Sequence, residues 1–356
     1  MRRAALVPLC ALLALLAAGA RTDETTPETF EVAARPISHF RIGSAENHFG
    51  PLEFVGGLEL SARAAHFGGF SSFRFLDGGH RFIGVTDTGY WFSGSLLRDG
   101  KGRPEGLSRF SMAPIRDAEG NAAGEKWFGD AEALALRHDR ATVGFERAHR
   151  LVEFRLTPEG VGERLGTVDF LVPPHELRVN RGFETIAHAP KEGALAGARV
   201  AITERSIDRR GNVFAAILEG PHGGVFTVAR RDGYDITDGV FLPDGDLLLL
   251  ERRFSVLSGV AMRLRRIAGR TIRPGGVADG PVLLEADMGH QIDNMEGLEV
   301  WRRADGALMV SLISDDNHSI LQRNLYLEFR LAGHQAGGPL PYRAASAGLS
   351  TPRSAP

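Results

Sequence analysis

The chain has 356 residues, of which 43% are hydrophobic and 24% charged, with one cysteine and a formal charge of −2. These values are ordinary for a globular protein and exclude a chain that is disordered throughout. The small negative charge gives no electrostatic basis for binding phosphate backbones, so we expect no nucleic-acid partner.

The first twenty residues have the pattern of a secretory signal peptide. The basic pair Arg2-Arg3 precedes an apolar run over residues 4–18, and small residues up to Ala20 resemble a cleavage site. The run is too short for a comfortable membrane span and no later segment approaches one, so no span is expected. Cys10 is removed with the signal, which leaves no thiol for a disulfide or a metal site. We therefore predict an exported monomer, periplasmic or secreted, cleaved near Ala20.

One pattern recurs five times along the rest of the chain. It consists of a short strand, a turn rich in Asp and Gly, and a second apolar strand that ends in a carboxylate, which is typical of a β-hairpin. The repeats cover residues 71–87, 130–146, 182–204, 238–251 and 294–315. Further strand-like segments lie between them at residues 151–156, 213–218, 225–229, 260–267 and 282–286. Four strands in about 40 to 50 residues, with longer loops here, describe a β-propeller blade.

The number of blades follows from the last repeat. Its third strand lies within residues 320–331, no fourth strand follows, and the early segment 52–60 can supply one. We predict an all-β propeller of four-stranded antiparallel blades over residues 37–332, with five hairpin units and a ring closed by an N-terminal strand. Six blades remain possible if the segment before Phe70 contains a degenerate unit. Residues 21–36 are predicted to be flexible and residues 333–356 a disordered tail.

The repeat also predicts a ring of acidic side chains. A hairpin pairs residues that are equidistant from its turn, so the leading polar residue and the closing acid of each unit share one end of a blade. Because the first strand of a blade lines the channel of a propeller, these side chains would surround one mouth of that channel. The residues are Asp87, Glu132, Glu146, Glu184, Glu204, Asp238, Glu251, Glu296 and Asp315.

Carboxylates at this density raise one another's pKa values or require cations. Two interpretations are open. In one, the oxygen-rich ring holds Ca²⁺ or Mg²⁺. In the other, neighbouring basic residues neutralise the acids in a purely structural network; these are Arg147, His149, Arg205 and Arg252.

The same segments resemble the phytase-like propeller family, described by an esterase-like activity of phytase. The matching stretches are residues 68–73 with 85–89, 130–134, 145–150, 182–184, and 293–298 with 313–317, within a match from about Phe49 to Leu331. The resemblance implies an exported, hydrolase-like propeller, distantly similar to calcium-dependent alkaline phytases. It also implies that arginines take the place of a lysine-rich phosphate grip, namely Arg147, Arg150, Arg205 and Arg252.

Two functions from different classes are therefore considered. The first is a Ca²⁺-assisted hydrolase of a small phosphate or carboxylic ester. Its predicted metal contacts are Glu132, Glu184, Glu296 and Asp315. Its predicted acids, bases or supporting carboxylates are Asp87, Glu146, Glu204, Glu251 and the imidazole of His149. Its predicted substrate-binding residues are Arg147, Arg205 and Arg252. The second function is a non-catalytic periplasmic propeller that binds a ligand or a partner at the same mouth.

Overall fold

A computed structural model describes residues 27–122, 129–158, 160–178 and 182–333. The predicted signal peptide over residues 1–20 and the predicted tail beyond residue 333 lie outside this part of the chain. Within it, five sheets form a five-bladed β-propeller. This confirms the all-β prediction and shows that the propeller has five blades rather than six. Two single-turn 3₁₀ segments, Pro174–Glu176 and Gly269–Thr271, interrupt the loops. The described residues contain no helix with the length and apolarity needed to cross a bilayer.

The first two blades follow the hairpin repeat of the sequence. Blade 1 contains, from the channel outward, β5 (Phe70–Phe75), β6 (Arg81–Thr86), β7 (Tyr90–Arg98) and β8 (Pro104–Pro114), with β1 (Glu28–Thr29) at its edge. Blade 2 contains β9 (Ala131–Arg137), β10 (Arg140–Phe145), β11 (Arg150–Thr157) and β12 (Gly160–Val168).

The remaining blades repeat this arrangement with added edge strands. Blade 3 contains β13 (Phe183–His188), β14 (Arg199–Ile207), β15 (Val213–Ile217), β16 (Gly224–Val228) and the short parallel strand β20 (Val277–Ala278). Blade 4 contains β17 (Asp235–Phe241), β18 (Leu247–Ser255), β19 (Gly259–Ile267) and β21 (Val282–Ala286). Blade 5 contains β22 (Asn294–Arg302), β23 (Leu308–Asp315), β24 (Asn324–Leu331), β4 (Leu52–Ser61) and β2 (Ala33–Ile37), and β3 (His48–Phe49) pairs with the start of β4.

The N-terminal part of the chain completes blade 5. Strand β4 pairs antiparallel with β24, from Leu52 opposite Leu331 to Leu60 opposite Asn324, as the sequence predicted. Strand β2, which the sequence assigned to a flexible segment, pairs with the free edge of β4 instead. The exposed N–H and C=O groups of an edge strand are a ready template for such pairing.

The blades pack around a common axis. Each first strand contacts the first strand of the next blade, in the order β5, β9, β13, β17, β22, and β22 also contacts β5. Strands β13 and β23 are buried along their whole length, because both faces of a blade pack against neighbouring blades. Each buried Leu, Ile, Val or Phe side chain stabilises this packing by about 1.5–3 kcal/mol. The five first strands therefore present matching positions to the axis.

Candidate functional site

All five first strands contain a β-bulge near their N-terminal end. In each blade the register with the second strand shifts by one residue, so that one residue of the first strand has no partner opposite it. The unpaired residues are Ser71, Glu132, Glu184, Thr237 and Glu296. A bulge takes its extra residue out of the ladder and redirects the side chain. The fold therefore redirects one polar side chain per blade at equivalent positions.

The second strands contribute a matching set. In each blade the residue before the bulge pairs with a residue of the second strand, and the residue that follows this partner along the chain belongs to the set. From blade 1 to blade 5 these following residues are Asp87, Glu146, Glu204, Arg252 and Asp315. In blades 1 to 3 the backbone N–H of this residue donates to the carbonyl two positions before the bulge, at Gly69, Asp130 and Gly182. Four blades thus supply an acid at this position, and blade 4 supplies an arginine.

Blade 4 corrects the predicted position of Glu251. The sequence aligned Glu251 with the other closing acids because the hairpins of blades 2, 3 and 4 each close with a Glu-Arg pair. In the structure Glu251 pairs with Ile236, so Arg252 occupies the place of the acid. A slip of one residue turns a side chain to the opposite face. Glu251 is buried and accepts hydrogen bonds from Arg263 and Arg265, away from the other acids.

The leading residue of blade 4 is corrected in the same way. Thr237 occupies the bulge, and its neighbour Asp238 points elsewhere. Both carboxylate oxygens of Asp238 accept hydrogen bonds of 2.9 Å from the Arg74 guanidinium of blade 1. Ser72 and the backbone N–H of Leu298 donate to the same carboxylate. Asp238 therefore links blades 1, 4 and 5 as a structural group.

The remaining acids meet around the channel end at which the first strands begin. Burial raises the pKa of Glu184 well above its ordinary value, and Glu132, Glu146, Glu204 and Glu296 raise it further. The pKa of Glu132 is likewise raised, first by burial and then by acids of blades 1, 2 and 5. We call this group the acid cluster. Its members are Asp87, Asp130, Glu132, Glu146, Glu184, Glu204, Glu296 and Asp315.

Blade 5 provides two acids that titrate close to neutral pH. Burial raises the pKa of Glu296 to about 8, against the opposing effect of Arg252 and with further increases from Asp315 and Glu204. Burial and the charge of Asp87 raise the pKa of Asp315 to about 7. Both acids therefore exchange protons within the physiological range, which ordinary carboxyl groups do not.

Two sets of carboxylates in the acid cluster have the spacing of metal ligands. Asp130, Glu132 and Glu146 bring one oxygen each within 4.8 Å of one another, and so do Glu146, Glu184 and Glu204. Two oxygens on opposite sides of a Ca²⁺ ion, each at about 2.4 Å, are about 4.8 Å apart. The donor set is all oxygen, which suits a hard divalent cation. Glu146 belongs to both sets.

The positively charged side chain of Arg252 lies among these acids. Its Nη1 donates to Asn294 Oδ1 at 2.5 Å, and its Nη2 lies 3.2 Å from Glu296 Oε1 and 3.6 Å from Glu204 Oε1. Asn294 also donates to Glu296 Oε1 at 2.8 Å. Burial lowers the pKa of Arg252, but the surrounding acids outweigh burial and the pKa is raised. Arg252 therefore stays charged and can bind an anion.

The other predicted basic residues have different surroundings. Arg147 Nε donates to Asp130 Oδ2 at 2.8 Å and so borders the acid cluster. Arg205 is half-exposed and lies 3.5 Å from Asp235 Oδ2. His149 packs so closely on Gly182 that a Cβ there would lie 2.8 Å from its Nδ1. Burial lowers the pKa of His149 below its ordinary value.

Arg150, a further candidate from the family resemblance, lies against an aromatic side chain. Its guanidinium lies over the Phe145 ring, 3.9 Å from the ring centroid. Burial lowers the pKa of Arg150 to about 10, and Arg164 adds to the effect.

Two site residues were missed from the sequence. Asp130 provides a carboxylate to the first set, and Asn294 holds both Arg252 and Glu296. Each stands two residues before the acid in the bulge, and this spacing is the signal that identifies both. The hairpin repeat alone marks Asp130 and Asn294 only as the beginnings of their hairpins.

Comparisons with known proteins give a family and several distant structural neighbours. A search of curated proteins found no match. An endo-arabinase from Bacteroides thetaiotaomicron is 13% identical, with 77% of this chain and 97% of that chain covered and a TM-score of 0.45. A bifunctional GH43-CE protein from Bacteroides eggerthii is 12% identical, with 82% and 38% covered and a TM-score of 0.44. The PQQ-bound aldose sugar dehydrogenase of Streptomyces coelicolor is 12% identical, with 78% and 98% covered and a TM-score of 0.39.

The family comparison covers most of the propeller. A family model described as "Phytase-like: Esterase-like activity of phytase" matches residues 65–318, from the loop before blade 1 to the end of the second strand of blade 5. That span contains every residue of the acid cluster together with Arg252. The chain therefore belongs to the phytase-like family, as its motifs had indicated.

Proposed function

We propose that the protein hydrolyses a small phosphate or carboxylic ester at the acid cluster, with the help of a divalent cation. The observation that carries this proposal is the arrangement of two carboxylate sets sharing Glu146, with the charged Arg252 among the same acids. A site with oxygen ligands on one side and a guanidinium on the other fits an anionic ester. Family membership supports the hydrolase class.

The cation would be held by carboxylates of blades 2 and 3. We assign it to the two sets that share Glu146, because the structure brings the oxygens together within each set. The residues of the two sets are Asp130, Glu132, Glu146, Glu184 and Glu204. Raised pKa values of Glu132 and Glu184 indicate that these carboxylates lack sufficient positive charge in the protein alone. When bound, a divalent cation supplies Lewis acidity, which polarises an ester oxygen and acidifies water. Ca²⁺ is our candidate because it takes six to eight oxygen ligands.

Arg252 would bind the anionic part of the substrate. Its planar guanidinium can donate two parallel hydrogen bonds to a phosphate or carboxylate group. The contact to Glu296, at 3.2 Å, leaves room for competition by an incoming anion. A substrate oriented between Arg252 and blades 2 and 3 presents its ester group to the carboxylate sets. Arg147, which pairs with Asp130, remains a further candidate for this role.

Glu296 is our candidate for the proton carrier. It stands outside both carboxylate sets, and Asn294 and Arg252 fix its position. A general acid or base works best when its pKa lies near the working pH, and the pKa of Glu296 is raised to about 8. It would take a proton from water during attack and return it to the leaving group. The sequence predicted Glu296 as a metal ligand; we assign that role to Glu146 and Glu204 instead.

The test is a hydrolase assay of the mature chain with and without Ca²⁺ and chelator. Substrates are p-nitrophenyl phosphate and short-chain p-nitrophenyl carboxylic esters. We expect turnover of one class that chelator abolishes, and a rise in Tm on adding Ca²⁺. Glu184→Gln should lower the rate more than about tenfold, whereas Glu176→Gln, on an exposed 3₁₀ segment, should not.

Absence of turnover contradicts the proposal. If Ca²⁺ still raises Tm, the acid cluster binds a cation without catalysis, as in the alternative of a ligand-binding or partner-binding propeller. If Ca²⁺ has no effect on Tm either, the acid cluster is a structural network. A Ca²⁺ dissociation constant of about 10⁻⁴–10⁻³ M would fit the predicted location, since extracellular calcium modules bind in that range.

A further inference from the structure

A second polar cluster lies at the opposite end of the channel from the acid cluster. Its centre is His188, the last residue of β13, whereas Glu184 lies near the beginning of that strand. The His188 side chain is only 3% exposed. Among the described residues neither its Nδ1 nor its Nε2 has a hydrogen-bond partner. Because a buried donor or acceptor without a partner is destabilising, the position calls for a ligand.

Two arginines surround this imidazole. Arg199 stands directly opposite His188 on β14 and is 5% exposed on its side chain. Its Nη2 donates to Glu153 at 2.6 Å, while its Nε has no partner within the described part of the chain. Arg137, the last residue of β9, donates through Nη1 and Nη2 to the two oxygens of Glu219.

Glu219 satisfies only one of these groups. Its Oε1 lies 3.9 Å from His188 Nδ1 and 3.9 Å from Arg199 Nε, and both distances are too long for hydrogen bonds. The Glu219 side chain is 37% exposed and that of Arg137 is 29% exposed, so the carboxylate can swing outward into solvent. Its removal would leave four nitrogens around the vacated position, two on Arg137 and one each on Arg199 and His188.

We propose that His188, Arg137 and Arg199 form a binding site for a small oxyanion such as phosphate or sulfate, with Glu219 as a tethered carboxylate that the anion displaces. A tetrahedral oxyanion offers several oxygens at once, whereas the single Glu219 carboxylate reaches only Arg137. The site is independent of the acid cluster, which lies at the other end of the channel and carries the opposite charge.

Binding at this site is coupled to protonation of His188. Burial lowers the pKa of His188 well below its ordinary value, and the charges of Arg137, Arg199, His138 and Arg74 lower it further. The carboxylates facing the group are Glu219 and, through Arg199, Glu153. A bound dianion offsets the positive charges, so His188 takes up a proton with the ligand. The affinity therefore rises as pH falls.

The experiment is calorimetric titration of the whole chain with sulfate and with phosphate, in chelator and without divalent cations. Sulfate stays a dianion across the pH range, so its pH dependence reports on the protein. We expect one sulfate per chain, bound more tightly at pH 6 than at pH 8. His188→Gln should weaken binding at least about tenfold, and Glu219→Gln should strengthen it. The exposed His175→Gln is the matched control and should change nothing.

Arg252→Gln separates the two sites. If sulfate binding is lost in Arg252→Gln and kept in His188→Gln, the anion binds at the acid cluster and the proposal is overturned. Absence of binding, or equal binding by wild type and His188→Gln, overturns it as well. If His188→Gln does not fold, the imidazole nitrogen signals of the wild-type protein decide. Sulfate must convert His188 to the doubly protonated form, and unchanged signals refute the site.

Discussion

Arg252 of blade 4 and Glu296 of blade 5 lie 3.2 Å apart at the position where the other blades bring acids together. The same Nη2 lies 3.6 Å from Glu204 of blade 3, so one guanidinium bridges three blades. In the other four blades the equivalent residue is Asp87, Glu146, Glu204 or Asp315. The replacement of one acid by arginine offsets part of the like-charge repulsion and makes the site asymmetric. In the proposed hydrolase, this asymmetry would orient the substrate.

Arg252→Gln should therefore destabilise the protein without bound cation. Removing one partner of a buried ion pair leaves the remaining carboxylates uncompensated, at a cost of about 3 kcal/mol. Added Ca²⁺ should raise Tm by more in this variant than in wild type, because the cation then supplies the missing positive charge. Chemical denaturation in chelator and in Ca²⁺ measures both effects.

Arg205→Gln is the matched control for this variant. Its side chain is 41% exposed and its ion-pair distance is 3.5 Å, so the loss should stay below about 1 kcal/mol. Equal losses in the two variants would show that Arg252 does not compensate the acid cluster.

The stability of the wild-type protein in chelator should fall as pH rises from about 4 to about 8. Burial raises the pKa of Glu296 from 4.5 to about 8 and that of Asp315 from 3.8 to about 7. Between the unfolded and folded pKa values the native state holds more protons than the unfolded state, so stability decreases with pH. Each unit of upward shift corresponds to about 1.4 kcal/mol.

Ca²⁺ should reverse this trend, since a bound cation favours the ionised carboxylates. Thermal unfolding across this pH range, with chelator and with Ca²⁺, gives the comparison. The calcium-induced rise in Tm should be largest at the alkaline end. A rise that is independent of pH would mean that Ca²⁺ binds away from the acid cluster.

The architecture could be read from the sequence because its signals are local. Asp-Gly turns such as Asp244-Gly245 are a strong local hairpin signal, and the short apolar run Leu247–Leu250 directly after this turn fits a buried strand. The register could not be read, because a bulge shifts it by one residue and depends on packing against the neighbouring blade. That single residue exchanges the roles of Glu251 and Arg252.

Glu251→Gln should act on stability and not on the site. Glu251 accepts hydrogen bonds from Arg263 and Arg265, which are themselves buried. Loss of its charge leaves two buried guanidinium groups with weaker partners, Asp232 and Asp279, and should cost about 3–5 kcal/mol. The calcium-dependent rise in Tm should be unchanged. Glu163→Gln, whose side chain is 69% exposed, is the control and should behave as wild type.

A loss of calcium response in Glu251→Gln, at unchanged stability, would restore the role at the acid cluster that the Glu-Arg repeat suggested. The two residues of the dipeptide therefore separate by experiment: Arg252→Gln changes the calcium response and Glu251→Gln does not.

A substitution at Gly69 tests whether Asp87 belongs to the cation-binding part of the acid cluster. Its φ of +65° is in the left-handed region, and a Cβ at this position would collide with Asp87 Oδ1. Gly43 has a similar φ of +73° with open space around the Cβ position. Both Gly→Ala changes share the strain of that conformation, about 1–2 kcal/mol. Only Gly69→Ala also displaces Asp87. In the wild-type protein the charge of Asp87 raises the pKa values of Glu132 and Asp315.

Gly69→Ala should therefore be less stable than Gly43→Ala and should weaken the calcium-dependent rise in Tm. Moving Asp87 away also removes a like charge from Asp315, so that carboxyl should titrate at lower pH, which NMR of its side-chain carbon measures. Identical calcium responses in the two alanine variants would place Asp87 outside the cation-binding part of the acid cluster. The cation would then depend on blades 2 and 3 alone, as the two carboxylate sets sharing Glu146 already suggest.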